Sequence, residues 1–270
     1  MTKLSIIRKI KATVFALAII ALPAFSQSEK ELYIYHTNDT HSRIEPFGNE
    51  YQDTLMAGKA GTVRRATFMK QQRKEHKDLL MLDAGDFSQG TPYYNMYKGE
   101  VEVKMMNAIG YDAATIGNHE FDFGLDNMAR LFKMANFPIV CSNYDVTGTV
   151  LEGLVKDYIV LKKDGVKVGI FGLGAQLEGL VATHCYGNVK FKDPVSEAQR
   201  VANFLRNNEH CDVIICLSHL GCRTDSHYSD IELIENTNNI DVVIGGHSHT
   251  YFTEPKFIKN LNGEEVPMQQ

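Results

Sequence analysis

Five apolar runs in this 270-residue chain each end in aspartate, asparagine or histidine. They read YIYHTNDTH (33–41), LLMLDAGD (79–86), AATIGNHEFD (113–122), VIICLSH (213–219) and DVVIGGHSH (241–249). Strands buried on both faces are apolar throughout, as in parallel sheets covered by helices. In open α/β sheets, ligands bind beyond the carboxyl ends of the strands. Five loops therefore deliver Asp39, His41, Asp86, Asn118, His119, Asp122, His219, His247 and His249 to one edge. Any one of these alone reads as an ordinary loop residue. Nine of them at five strand ends, with five of the chain's ten histidines among them, read as one constellation.

Helical segments alternate with these runs. The pattern predicts helices over 61–76, 100–109, 125–135, 194–208 and 229–236, and further strands over 137–141, 158–162 and 166–171. Lys163-Asp164-Gly165 is a hairpin turn signal and marks an antiparallel element within 158–171. Asp193 followed by Pro194 is a helix start. Strands alternating with helices give an α/β class with a largely parallel sheet. Hydrophobic residues at 44% and charged residues at 23% exclude a disordered, collagen-like or multi-span membrane chain.

Residues 1–26 have the three-part pattern of a cleaved secretory signal peptide: a basic start, an apolar run over 12–25 and small residues before a cut after Ser26. The mature chain, 27–270, is then exported, periplasmic or secreted, with no stable membrane span. The formal charge is −5. Four of the 28 cations and none of the 33 acids lie in the leader, so the mature chain carries 24 cations against 33 acids. A body that acidic is a poor partner for a nucleic acid polymer. Five cysteines leave at least one unpaired. Cys141 and Cys216 lie in apolar runs as small core residues. A Cys185–Cys222 or a Cys211–Cys222 bridge is open, and the sequence does not choose.

Mixed carboxylate, imidazole and amide donors are too rich in nitrogen for calcium or an ordinary magnesium site. They suit Mn, Zn, Fe or Co. The donors are too many for one tetrahedral ion, whereas two divalent ions sharing one carboxylate use them naturally. Such a pair generates hydroxide at neutral pH, which is the chemistry of phosphate-ester hydrolysis.

The ordered blocks DTH, GD followed by QG, GNHEFD, SHLG and GGHSH resemble the calcineurin-like metallophosphoesterases. HTNDTHSRIEP, GDFSQGTP and GNHEFDFG resemble its 5′-nucleotidase (UDP-sugar hydrolase/5′-nucleotidase) branch, over about residues 31 to 254. The resemblance implies a four-layer α/β/β/α sandwich of two mixed sheets flanked by helices. It implies that Asp39, His41, Asp86 and His249 hold one metal ion. Asp86, Asn118, His219 and His247 hold the other, with Asp86 as the bridge. His119 takes the place of the catalytic histidine and Asp122 that of its orienting partner. The implied reaction is attack of a metal-bound hydroxide on a 5′-nucleotide, giving nucleoside and phosphate, a step of nucleotide catabolism. Cyclic-nucleotide phosphodiester and nucleotide-sugar pyrophosphate hydrolysis are alternatives at the same centre.

A second domain, which in the family selects the nucleotide, is absent from this chain. The resemblance leaves three readings open: a catalytic domain that acts alone, a separate chain that supplies the nucleotide-binding domain as a partner, or a fragment of a longer protein, with the catalytic domain's last strand or two also in question. A metal-containing, non-catalytic binding subunit is the alternative from another class, disfavoured by the intact His119 and Asp122. A TIM-barrel amidohydrolase would place HxH on its first strand, whereas here DxH comes first. Weaker signals read structurally. Gly172-Leu173-Gly174 is a strand-end turn. The Asn38-Asp39-Thr40 sequon overlaps a ligand. Ser218 lacks a base. Arg64 and Arg65 form the solvated face of their helix, with a phosphate contact as the sharper alternative.

Overall fold

The computed structural model describes residues 30–223 and 228–270. The proposed leader lies outside the described residues. Along the chain the elements are β1 (Ile34–Thr37), α1 (Thr62–Glu75), β2 (Leu80–Asp83), α2 (Pro92–Tyr97), α3 (Glu100–Ile109) and β3 (Ala113–Ala114). A 3₁₀ turn at His119–Phe121 leads into α4 (Gly124–Met134), β4 (Ile139–Val140), β5 (Tyr144–Asp145), β6 (Val155–Lys156), β7 (Tyr158–Lys163) and β8 (Val166–Leu173). Then come α5 (Thr183–Tyr186), β9 (Lys190–Phe191), α6 (Pro194–Asn207), β10 (Val213–Ser218), α7 (Asp230–Glu235), β11 (Val242–Ile244), β12 (Lys256–Lys259) and β13 (Glu265–Gln269).

Strands β1-β2-β3-β4-β6 form one sheet, parallel in every pairing. Strands β12-β13-β11-β10-β8-β7 form a second sheet, and a short β5-β9 pair stands apart. Strand mixing is confined to the second sheet, and the physical reason is the connection. The β7–β8 and β12–β13 links are tight turns, which force antiparallel neighbours. Asp164 and Gly165 both have positive φ, 46° and 77°, as a two-residue hairpin loop of right-handed twist requires.

The alternation of side chains along each strand makes the layers. Leu80 and Leu82 of β2 meet Ile170, Ile215, Leu217 and Ile244 of the other sheet in a core between the two sheets. Met81 points the other way, onto Met69, Val103, Met106, Met128 and Leu131 of α1, α3 and α4. In β10, Ile215 and Leu217 face the inter-sheet core, while Ile214 and Cys216 face Ala198, Val201, Leu205 and Leu233 of α6 and α7. The result is helix, sheet, sheet, helix. Each buried aliphatic side chain contributes about 1.5–3 kcal/mol. Truncating Leu82 to Ala, with no exposed surface to relax into, costs about 2–5 kcal/mol.

The helix ends follow the local chemistry. Asp193 accepts the Ser196 N–H at 2.7 Å and Pro194 opens α6. Gly110 closes α3 at φ 81°. All five cysteines are free, four of them buried, so packing and not disulfides holds the fold. No helix among the described residues is long and apolar enough to cross a membrane.

Candidate metal centre

The loops after β1, β2, β3, β10 and β11 all open on the same edge of the sandwich, because those strands run parallel within their sheets. The backbone there is unusual. Asp39, His41, Asp86, His247 and His249 have φ of 48°, 43°, 57°, 72° and 51°. This is the left-handed region that non-glycine residues rarely occupy, at a cost of about 1–3 kcal/mol each. The turns point the side chains back over the strand ends. Glycines let the loops interleave. A Cβ on Gly117 would collide with the Asp86 carboxylate, and one on Gly85, at φ 91°, would lie 2.8 Å from His219 Nδ1.

The nine residues named from sequence fall into two ligand groups and a dyad, with Asn118 beside them. Asp86, His219 and His247 offer ligand atoms within 4.8 Å of one another, and so do Asp39, His41 and His249. In the first group His219 Nδ1 donates to the Ala84 carbonyl at 2.7 Å, which makes Nε2 the ring nitrogen turned toward Asp86. In the second, His41 Nδ1 faces the Ser88 carbonyl at 3.2 Å, which turns His41 Nε2 toward His249 Nε2, 2.9 Å away. A neighbour on one ring nitrogen fixes which nitrogen is free to ligate. Asp39 links the groups: both its oxygens accept the His247 N–H, at 2.9 and 3.0 Å.

The donors fit a pair of cations. His219 Nε2 is buried and stands 3.1 Å from Asp86 Oδ2 without hydrogen-bond alignment. Asn118 Oδ1 is likewise buried and without a partner. Buried polar atoms are nearly always satisfied, so two such orphans beside a buried carboxylate mark a place for an electrophile. Burial lowers the His41 and His247 imidazoles, which favours the neutral, ligating form. Burial pushes the Asp86 carboxyl up, but the charge and contact of His219 and the His119 N–H at 2.9 Å override it and keep Asp86 ionised.

His119 stands at the border of the two groups, its ring 5.4 Å from that of His41, edge to face. Its Nδ1 lies 3.1 Å from Asp122 Oδ2. The Asp122 contact raises the His119 imidazole above its ordinary value. Partial burial opposes this, and the Asp86 charge adds to the rise. A half-exposed imidazole so held can carry a proton at Nε2.

Glu120, absent from the sequence-derived set, is the buttress. Its carboxylate is 1% exposed and accepts the backbone N–H groups of Asp86 at 3.0 Å, Ser88 at 3.1 Å and Gly117 at 2.6 Å. Burial, with the Asp86 charge behind it, moves its carboxyl up to about 7. The available signal was its place, an acid between His119 and a phenylalanine in a buried turn.

A cavity of about 620 Å³ adjoins the Asp39–His41–His249 group and is lined also by Arg43, Phe47, Met56, Arg65 and His119. This corrects the reading of the two helix arginines. Arg64 lies on the surface and bonds the Gly58 carbonyl, whereas Arg65 turns inward and its Nη1 donates to the Tyr111 hydroxyl at 3.3 Å.

Comparison with known proteins agrees with this geometry. The calcineurin-like phosphoesterase family matches residues 32–251. A snake venom 5′-nucleotidase of Gloydius brevicauda is 36% identical over 264 residues, covering 89% of this chain and 43% of that protein. Among solved structures, the 5′-nucleotidase precursor of Thermus thermophilus superposes with a TM-score of 0.79 at 34% identity, over 88% of this chain and 48% of that one. The NAD nucleotidase of Haemophilus influenzae superposes at 0.78 and 30% identity, over 88% of this chain and 50% of that one. The chain thus spans about half the length of these relatives, or less.

Proposed function

The chain belongs to the calcineurin-like phosphoesterase family, and from that premise we propose that it is the catalytic unit of a dinuclear-metal phosphoesterase acting on 5′-nucleotides. The observation that carries the reading is the convergence of two three-residue candidate ligand groups on one edge of the sandwich, with the His119–Asp122 dyad beside them. Asp39, His41, His249 and Asp86 would hold one divalent ion; Asp86, Asn118, His219 and His247 would hold the other. The mixed nitrogen and oxygen donors suit Mn, Zn, Fe or Co. When bound, such a pair supplies hydroxide at neutral pH and clamps phosphoryl oxygens in an in-line displacement.

The chain's own residues do the rest. Asp122 holds Nδ1 of His119 and shifts the ring toward its protonated form, with Nε2 turned outward to donate. As the water oxygen bonds to phosphorus, the bond from phosphorus to the leaving oxygen breaks and its electron pair stays on that oxygen. His119 Nε2 delivers a proton there, and its charge also offsets the negative charge that builds on the phosphoryl group. Glu120 keeps the Asp86 loop in place during this exchange by holding two of its N–H groups, those of Asp86 and Ser88, together with the Gly117 N–H of its own loop.

The basic and apolar leader supports export to a periplasmic or extracellular space. The length of the relatives supports a second, nucleotide-selecting domain, supplied by a partner or by further chain. The test is phosphate release from AMP and from p-nitrophenyl phosphate, with Mn²⁺ or with chelator. Metal-dependent turnover is expected. Two bound ions with no turnover of either ester would replace this reading with that of a non-catalytic metal-binding subunit.

A further inference from the structure

We propose that the cavity beside the Asp39–His41–His249 group is the leaving-group subsite and that Arg43 and Arg65 select leaving groups bearing an oxyanion of their own, a phosphate or a carboxylate. The proposal rests on the reading of His119 as proton donor to the leaving oxygen. His119 and His249 line the same cavity as Arg43, Arg65, Phe47 and Met56. A phosphoryl group over the ligand groups, with its leaving oxygen at His119, therefore places the remainder of the substrate in this cavity. At about 620 Å³ it has room for a small-molecule substituent and not only for a lone anion.

Neither arginine is held in an ion pair among the described residues, although the charge of Arg65 also reaches buried Asp83. Arg130, Arg200 and Arg206 each hold a carboxylate at 3.1 Å or less. Arg65 has one described hydrogen bond, to a tyrosine hydroxyl, and Arg43 lies 4.3 Å from the centre of the Phe47 ring. Neither guanidinium comes within 4.0 Å of a carboxylate among the described residues, and the first turn of α1 beside them has no acid. The single carboxylate in the lining, Asp39, is engaged by the His247 N–H and by Asn38. Two half-buried guanidinium groups with donors to spare form a fork for an oxyanion. Phe47 and Met56 add apolar surface for the group that carries it.

The wall is also of the kind that recognises ligands. Residues 38–61 join β1 to α1 without a helix or strand. Connections of such length in compact domains are usually functional. This one closes on itself through Phe47 N–H to the Lys59 carbonyl at 2.8 Å, Gly58 N–H to Gly48 at 3.2 Å and Thr62 N–H to Ile44 at 2.8 Å. It is a compact loop held over the cavity, as binding loops often are.

The test compares phenyl phosphate with 4-carboxyphenyl phosphate, using the Mn²⁺-loaded chain and its Arg43→Gln, Arg65→Gln and Arg64→Gln variants. The carboxylate also alters leaving-group acidity, so the readout is the change in KM preference on substitution. Arg43→Gln and Arg65→Gln should each reduce the preference for the anionic ester by about 10- to 100-fold. Arg64→Gln should leave it unaltered. A second arm titrates the chelated protein with phenol, 4-hydroxybenzoate and 4-hydroxyphenylphosphonate, followed by NMR. Saturable binding of either anion but not of phenol, lost in both cavity variants, supports the subsite; the tighter anion identifies the substituent. Should Arg65→Gln fail to fold, Arg43→Gln decides alone. Hydrolysis of both esters with an unmoved preference and a blank titration overturns the subsite and leaves the phosphoesterase reading intact. Arginine-dependent binding in a chain that hydrolyses neither ester does the reverse.

Discussion

The two ligand groups use the same side-chain types in opposite surroundings. His219 and Asp86 are 0% and 2% exposed, and their loops are tied by the Ala84 carbonyl, the His119 N–H and the three N–H bonds of Glu120. His249, across the edge, is 60% exposed, and His41 has one carbonyl at 3.2 Å to orient it. The buried group lies where the two sheets meet; the other opens onto the cavity. Preorganised, desolvated donors bind an ion more tightly than solvated, mobile ones. The difference predicts that the buried group would hold its ion more tightly than the exposed one.

The largest expected effect tests what the two groups share. Asp86→Asn should release both ions on dialysis, drop turnover to background and lower stability by about 3–5 kcal/mol, since buried His219 loses its counter-charge. Metal analysis that finds one ion retained would remove Asp86 from its bridging place. His119→Asn should cut turnover by roughly 10²–10⁴-fold with metal content unchanged. Loss of metal in that variant would make His119 a ligand.

Next comes a titration on the buried side. Asp230 is 0% exposed, both its oxygens lack partners, and burial raises its carboxyl to about 7 from 3.8. The folded state then binds more protons than the unfolded chain between about pH 4 and 7, so stability falls as pH rises through that window. By linkage the loss between pH 5 and 8 is roughly 2–3 kcal/mol. Asp230→Asn should remove this share of the slope in thermal melts of the chelated protein, with Glu120 and Asp83, raised by burial to the same range, carrying the remainder; an unchanged slope would mean that Asp230 carries none of it.

Glu120→Gln should weaken the buried ion by about 10- to 100-fold, the usual scale for residues that position ligands. It should do less to the exposed ion, and equal weakening of both would erase the distinction drawn above. The smallest effect is one of order. Graded chelation should empty the Asp39–His41–His249 group before the other, seen as two steps by calorimetry. A single concerted step would show the two groups to be equivalent.

What was legible in the sequence were side chains whose own chemistry marks them as candidate ligands or proton carriers. Each strand run led straight to its polar tip, and the nine named positions stand on one edge. The helix over 100–109 and the hairpin over 158–171 follow from Gly110 and Asp164-Gly165, whose positive φ needs no tertiary information. Glu120 was less visible because its task is to hold backbone N–H groups, which have no side-chain signature. The direction of Arg65 was hidden for a different reason. Arg64 and Arg65 are adjacent on one helix, and only packing against Tyr111 decides which of them turns inward. The two-residue strands β5, β6 and β9 are too short for periodicity to declare, whereas β3 and β4 fall inside the runs read at 113–122 and 137–141.

The left-handed backbone at Asp39, His41, Asp86, His247 and His249 has an evolutionary consequence. At the three histidines glycine, or in some cases asparagine, would relax the chain, whereas Asp86 and Asp39 also hold buried partners, so selection for a robust fold pulls against selection for the reaction mainly at the histidines. A duplicated copy released from its catalytic duty should drift first at the codons of His41, His247 and His249, and the drift should make the idle protein hardier than its working parent. Heat tolerance would then become the fossil record of a lost activity.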